Sequence, residues 1–332
     1  MCRICGSEGR HATFAAREMM HGLREPFDYF QCADCFALQI ATVPYDMARY
    51  YPHDYYSIAK ENPLNRWLKN QRLSYLANGN SIVGRVIHQL KSRSGEYDWI
   101  PVGFPKDSAI LDIGCGRGDF LEELFLRGYK NLLGIDPFLP PSRKRSRPFG
   151  LDTTALPDLP QNEKFDFVIM NHAYEHIPNP IELLDSISTR MEDEAVLCLR
   201  IPVLAKAWET FGIDWAQLDA PRHIVLNSYR SMEVAAERAG LKVVKSWCDS
   251  NAFQFWASIQ YQRDIPMMAP NSWYTNQESS IFTQAEVDVM EAEAVSLNDR
   301  GEGDQAVFWL KKRDSTILPE RLLDPAKVFE GH

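Results

Sequence analysis

No run of apolar residues in this 332-residue sequence approaches the ~20 that a helix needs to cross a bilayer. A membrane-spanning reading is therefore set aside. Positive charge is in deficit: 36 Lys and Arg stand against 45 Asp and Glu, a formal net charge of −9. That balance argues against a general nucleic-acid binder. No G-K-S or G-K-T triplet closes a glycine loop, so the nucleoside triphosphate P-loop is missing, and so is the G-x-G-x-x-G spacing of a dinucleotide turn. The first residues, M-C-R-I-C-G-S-E-G-R, are polar and do not resemble a secretory signal, so a cytoplasmic location is expected. In a reducing compartment the seven cysteines are expected as thiols, and close pairs of them point to metal before disulfide. The rest of the composition, 45% hydrophobic and 24% charged, suits a large globular domain with a small one, or two of medium size.

Four cysteines fall in two C-x-x-C units, Cys2 with Cys5 and Cys32 with Cys35, separated by 26 residues. Two residues between thiolates let one turn aim both sulfurs at the same ion, and four thiolates suit tetrahedral zinc. With no position left for substrate, such a site is structural. Gly6 follows the first pair, as a tight metal-binding turn often requires. Four free thiols are the alternative; no strand-then-helix pattern surrounds either pair, which disfavours a redox role. An aromatic run follows, Tyr45, Tyr50, Tyr51, Tyr55 and Tyr56, with Pro44, Pro52 and His53 between. It reads as packing between a small and a large unit, with a substrate pocket as the other use. Residues 62–98 carry helix-like apolar spacing.

The stretch A-I-L-D-I-G-C-G-R-G, Ala109 to Gly118, is a short buried strand running into glycines at alternate positions. D-F-L-E-E-L-F-L-R, Asp119 to Arg127, then reads as an amphipathic helix with Phe120, Leu121, Leu124 and Phe125 on one face, stopped by Gly128. Asp112 precedes the loop by two residues. A carboxylate there repels a pyrophosphate but can help hold an ammonium group. A second strand, Leu132 to Ile135, ends at Asp136, where an acid is placed to accept hydrogen bonds from ribose hydroxyls. Phe167 to Met170 make a buried parallel strand, and ligands in such sheets bind beyond the carboxyl ends of the strands.

These ordered motifs resemble class I S-adenosylmethionine-dependent methyltransferases over roughly residues 107–250. I-L-D-I-G-C-G-R-G and L-L-G-I-D are similar to the family's first two motifs. D-T-T-A-L-P, Asp152 to Pro157, is similar to the third, and F-D-F-V-I-M-N-H-A-Y-E-H-I-P-N-P, Phe165 to Pro180, to the fourth strand and its loop. The resemblance implies an α/β fold, a Rossmann-like seven-stranded mixed sheet of order 3-2-1-4-5-7-6, behind a small N-terminal zinc ribbon. It implies a ribbon at 1–45, a connector at 46–106, a core at 107–313 with an insertion at 249–305, and a tail at 314–332. Strands are expected at Ala195–Ile201, Leu241–Cys248 and Ala306–Lys312, the last antiparallel, with helices near Asn227–Gly240 and at Gln284–Asn298. The implied cofactor set is Asp112, Gly114, Cys115, Gly116, Gly118, Asp136, Asp152 and Asn171, with Asp152 on the adenine amine. Where the family has a helix, between Asp136 and Asp152, this sequence has P-F-L-P-P-S-R-K-R-S-R-P, which prolines break. Arg143, Lys144, Arg145 and Arg147 there form a solvated loop or attract a phosphate-bearing substrate.

Methyl transfer, to a hydroxyl or a carbon of the acceptor, is an in-line displacement, and a hydroxyl acceptor needs a base to take its proton. His176 has a suitable pKa and position. Glu175 orients it or binds the acceptor, and a pocket-shaping role is the plain alternative for the pair. A second loop, W-A-Q-L-D-A-P-R-H-I, carries Trp215, Asp219, Arg222 and His223 as an acceptor clamp, or as a self-shaping loop in which Asp219 pairs with Arg222 and His223 caps the next helix. The candidate catalytic residues are thus His176, Glu175 and His223; the metal ligands are Cys2, Cys5, Cys32 and Cys35. Relatives with such a ribbon or such a loop act in deoxysugar and surface-polysaccharide chemistry. The resemblance therefore implies a small-molecule or glycan acceptor, sugar-based, without stable nucleic acid or a membrane span. An RNA or protein methyltransferase gripping its target with the ribbon, and a non-catalytic cofactor-binding scaffold, are the alternatives. No N-P-P-Y or D-P-P-Y follows the fourth strand, which disfavours methylation of base amino groups.

Overall fold

The computed structural model describes residues 1–51, 64, 67–68, 71–72, 75, 81–91, 104–139 and 149–315. In chain order its regular elements are β1 (Ala12–Arg17), β2 (Pro26–Gln31), β3 (Leu38–Ile40), α1 (Ile82–Lys91), β4 (Ala109–Ile113), α2 (Asp119–Leu126), β5 (Asn131–Ile135), β6 (Gly150–Asp152), β7 (Phe165–Asn171), α3 (Pro180–Arg190), β8 (Met191–Pro202), α4 (Lys206–Phe211), β9 (Val225–Leu226), α5 (Tyr229–Arg238), β10 (Leu241–Cys248), α6 (Phe253–Gln262), α7 (Gln284–Asp299) and β11 (Gln305–Lys312). Among them no helix is long and apolar enough to cross a membrane.

Seven strands form one mixed sheet, ordered β6-β5-β4-β7-β8-β11-β10. Numbered along the core, that is the expected 3-2-1-4-5-7-6. β4 pairs in parallel with β5 and β7, and β5 with β6. β11 pairs antiparallel with β10. The near-continuous apolar runs of β4 and β7 suit strands covered on both faces. The third strand of the core, β6, is only three residues long. β8 begins four residues earlier than expected, with exposed Glu192, Asp193 and Glu194 lengthening an otherwise buried strand. α6 was not foreseen: F-Q-F-W-A-S-I-Q-Y-Q has no polar face, because Trp256, Ala257 and Tyr261 are buried in a cluster with Trp273 and Phe282. Ser228, not His223, caps α5, its Oγ accepting from Ser231 N at 3.0 Å.

A second sheet has the order β1-β2-β3-β9. Its last strand comes from far down the chain: Leu38 pairs with Leu226 and Gln39 with Val225. The cysteine-bearing segment thus does not close on itself.

The residues divide into two compact units. One comprises Met1–Pro52, Asn171–Thr189 and Cys198–Arg313; the other comprises His53–Met170, Arg190–Leu197 and Asp314–His332. The ribbon, connector, core and tail boundaries remain proposed folding units. Arg143, Lys144, Arg145 and Arg147, and with them Pro52, His53, Tyr55 and Tyr56, lie outside the described residues, as does most of the helical connector apart from α1.

Gly134 shows how tightly β5 is packed. A Cβ there would stand 2.7 Å from Cys115 Sγ and from Leu121 Cδ1, and 2.8 Å from Leu151 Cδ2. Gly134→Ala is expected to destabilise the protein by about 1–3 kcal/mol through overpacking. Thermal unfolding checks this; an unchanged midpoint would contradict the packing described.

Candidate functional site

The glycine turn belongs to the unit that carries β4 to β6. Gly114, Gly116 and Gly118 all sit in the left-handed region, with φ of 76°, 52° and 73°, which side chains oppose. Gly114 N donates to the Ile135 carbonyl at 2.8 Å, and Gly118 N to the Cys115 carbonyl at 2.8 Å. Asp136 ends β5 with a partly exposed carboxylate, which accepts from Gly116 N at 2.9 Å and from Phe138 N at 2.8 Å. Turn and acid are thereby fixed to each other. Asp152 ends β6; its carbonyl accepts from Asp136 N at 3.0 Å and its carboxylate from Thr154 N at 3.0 Å. The Cys115 side chain is buried, so that residue offers a ligand only its backbone. The bare backbone and the acid at the strand end fit an adenosyl ligand.

Asp112 is buried on β4. Burial, and then the negative charge of Asp136, raise its pKa from 3.8 to about 8. It therefore retains a proton near neutrality, and an adjacent ammonium would favour its ionised form.

The histidine cluster lies in the other unit. His172, next after β7, takes a left-handed φ of 51°, a strained conformation for a residue with a side chain. It brings Nδ1 to 3.3 Å from Glu175 Oε1. Tyr174–His176 form a single 3-10 turn. His176 Nδ1 lies 2.9 Å from the Arg222 carbonyl and 3.0 Å from the Tyr51 hydroxyl. A carbonyl only accepts, so Nδ1 carries the proton and Nε2 the lone pair. His223 repeats the pattern: Nδ1 lies 2.7 Å from the Gln217 carbonyl, while Nε2 is 3.9 Å from Glu175 Oε1 and 3.6 Å from Asp219 Oδ2. The two imidazoles meet edge to face, with centroids 4.8 Å apart.

Glu175 is 1% exposed. Burial alone would raise its pKa, but His172, His176 and His223 more than reverse this and hold it at about 2. Burial lowers His223 to about 4 despite the opposing pull of Asp219, so its ring is neutral at pH 7. In the loop before His223, Asp219 has a φ of 45°, and Arg222 Nη2 grips its carboxylate at 2.6 and 2.7 Å. Arg222 is 2% exposed. The ion pair shapes the loop.

The four cysteine sulfurs lie within 4.8 Å of one another. Cys2 and Cys35 are 3.6 Å apart, and Cys5 and Cys32 3.5 Å. Sulfurs at the usual ~2.3 Å from zinc span edges of ~3.8 Å, so the set fits with little movement. Both C-x-x-C units make the same turn: Gly6 N donates to the Cys2 carbonyl and Phe36 N to the Cys32 carbonyl, with φ of 79° and 63°. The contact with Cys35 lowers the Cys2 thiol to about 4, while the same contact pushes Cys35 up. Without a cation, ionising one thiol of this pair opposes ionising the other.

Of the candidate cofactor, catalytic and metal-binding residues, all except Asn171 fall within one of three groups: Asp112, Gly114, Cys115, Gly116, Gly118, Asp136 and Asp152 about the turn, Glu175 with His176 and His223, and the four cysteines. Asn171 instead accepts from Arg200 Nη1 at 3.1 Å, and Arg200 also pairs with Asp249 at 2.5 Å. Trp215 is not available as an acceptor clamp: it is buried, with Nε1 donating to Asp304 at 2.8 Å. Sequence reasoning missed the contribution of His172 and took Tyr51 mainly for packing. For His172 a signal was present, since it lies three residues before Glu175. Nothing in the sequence singles out Tyr51 from its aromatic neighbours.

Two expectations follow. Between pH 4 and 8 the native state keeps the Asp112 proton that the unfolded chain has lost, so stability should fall as pH rises through that window. Asp112→Asn should flatten the slope and raise the unfolding free energy at pH 8; urea unfolding at pH 6 and 8 reads both. Elemental analysis of protein purified without chelator should find one zinc per chain, which Cys32→Ser should lose together with thermal stability.

Residues 85–246 match the family model described as a methyltransferase domain. Over 101 residues the chain is 32% identical to a ubiquinone biosynthesis O-methyltransferase of Actinobacillus pleuropneumoniae, covering 26% of this chain and 43% of that protein. Over 177 residues it is 23% identical to a tRNA U34 carboxymethyltransferase of Helicobacter pylori, covering 48% and 62%. The chain therefore spans less than two thirds of either relative. Among solved structures, a SAM dependent methyltransferase from Archaeoglobus fulgidus aligns with a TM-score of 0.42 and 19% identity, over 68% of this chain and 93% of that one. Residues 85–246 match a methyltransferase domain, and the sheet order and the glycine turn agree with a class I S-adenosylmethionine-dependent methyltransferase.

Proposed function

We propose that this chain transfers a methyl group from S-adenosylmethionine to a hydroxyl oxygen of a small acceptor, a sugar, nucleotide sugar or glycan end, with His176 as general base. When bound, the cofactor supplies an electrophilic methyl on a sulfonium. The chain's own residues do the rest. Gly114, Gly116 and Gly118 expose the backbone of the turn, Asp136 receives the ribose hydroxyls and Asp152 the adenine amine, and Asp112 faces the amino-acid end. Zinc on Cys2, Cys5, Cys32 and Cys35 is structural.

One observation carries the assignment of the base. The Arg222 carbonyl, 2.9 Å from His176 Nδ1, holds the tautomer whose Nε2 lone pair can take a hydroxyl proton. His223 is too buried to be reached, and Glu175 too buried to bind an acceptor. Glu175 stays anionic and stabilises the imidazolium formed on His176. An oxygen acceptor agrees with the O-methyltransferase named among the relatives. The tRNA-modifying relative favours a second reading, in which the acceptor is RNA.

Calorimetry should show one S-adenosylmethionine site per chain, weakened in Asp136→Asn. Nucleotide sugars and tRNA, offered in parallel, should gain 14 Da in one arm only. His176→Ala should lower kcat by about 100-fold or more with cofactor affinity kept. Full activity in that variant would remove His176 as base, and cofactor binding without any turnover would leave a scaffold.

A further inference from the structure

We propose that Glu175, His176 and His223 form a second metal site, separate from the four cysteines, for a divalent transition-metal cation. A donor atom from each of the three side chains lies within 4.8 Å of the other two. The inference stands on the geometry of the cluster and does not need the methyl-transfer reading.

His176 and His223 both direct Nδ1–H to backbone carbonyls, of Arg222 at 2.9 Å and of Gln217 at 2.7 Å. Metal-ligating histidines are oriented in this way, with one nitrogen donating to a carbonyl and the other presenting its lone pair. Glu175 adds a carboxylate that is 1% exposed, and neither of its oxygens has hydrogen-bond geometry with a described group. His223 turns its Nε2 lone pair toward this carboxylate, 3.9 Å from Glu175 Oε1, with the His176 ring packed edge to face against His223, and the nearest described donor to the carboxylate is His172 Nδ1 at 3.3 Å. Such an arrangement is unfavourable unless a cation sits between the donors.

The chemistry of the set selects the ion. Two imidazoles and one carboxylate suit zinc, iron(II), cobalt(II) or nickel(II), whereas calcium and magnesium favour sets made wholly of oxygen. Three protein donors leave at least one position open, unlike the closed four-sulfur set. His172, 3.3 Å from Glu175 Oε1, is placed to orient the carboxylate from behind. Bound metal would occupy the His176 lone pair, so cation and acceptor proton compete for the same nitrogen.

The test uses full-length protein whose cysteine site is first filled with one equivalent of zinc, followed by titration with cobalt(II). The expected result is a second equivalent of metal with a weak visible d–d band and no thiolate charge-transfer band. Glu175→Gln and His223→Ala, each shown by circular dichroism to be folded, should weaken cobalt binding by about tenfold or more. Absence of the band in wild-type protein, or a band untouched in both folded variants, overturns the site. Methyl transfer is read alongside: cobalt should inhibit it and a chelator restore it. Full activity with cobalt bound would instead remove His176 as the base and leave the metal site standing.

Discussion

The hydrogen bond from His176 Nδ1 to the Arg222 carbonyl, 2.9 Å long, is the contact on which the chemistry of this cluster depends. It fixes which nitrogen is basic and anchors the loop after β7 to the loop before β9. A second bond, from Ile224 N to the Glu175 carbonyl at 2.8 Å, fastens the same two loops two residues further along. Each loop has only a single 3-10 turn of its own, at Tyr174–His176 and Ala216–Leu218, to set its shape. Their mutual backbone bonds, with the buried Arg222–Asp219 pair, do that work. Removing one member of such a pair strands a buried charge at a cost of about 3–5 kcal/mol, so the clamp is rigid because its components cannot separate cheaply.

That loop is in turn held by the cysteine-bearing sheet. Ile40 N donates to the Ile224 carbonyl at 3.0 Å, and Tyr29 Oη to the His223 carbonyl at 2.8 Å. Ser228 Oγ donates to the Cys35 carbonyl at 2.8 Å, and Arg238 to the Ile4 carbonyl. Gln39 links the two ends of the chain of contacts. Its amide nitrogen lies 2.9 Å from Cys2 Sγ, and its backbone is in β3, paired with β9. The N-terminal segment therefore does more than bring four sulfurs together. It supplies the strands that hold the His223 and Ile224 carbonyls, so the four sulfurs and the imidazoles are joined by a short chain of hydrogen bonds.

The fold was legible because its signals are local and periodic. Apolar runs announced β4, β5 and β7, and the alternate glycines announced the turn and the start of α2. Two C-x-x-C units foretold that four sulfurs would meet, since spacing alone constrains a turn. The histidine cluster was legible only in part. His176 and Glu175 stand in a readable motif and His223 in another, yet that the two motifs touch is a long-range fact no window of sequence contains. β9 escaped for the same reason: two residues, Val225 and Leu226, are too few to carry a pattern and become a strand only because β3 offers an open edge. α6 escaped for the opposite reason, since a helix buried nearly all round has no amphipathic stripe.

Charge burial ties the two compact units to one physical theme. In one, Asp112 sits buried with Asp136 nearby and meets the cost by keeping its proton. In the other, Glu175 is equally buried but meets the cost by ionising among three imidazoles. The same functional group is neutral in one setting and anionic in the other because their neighbours differ in sign. A protonated acid is ready to ionise when a cationic amino group arrives. A fixed anion is ready to stabilise positive charge, whether that charge is a proton on His176 or a metal ion. Burial of Asp112 costs stability as pH rises toward 8, whereas the imidazoles around Glu175 favour its ionised form within the fold.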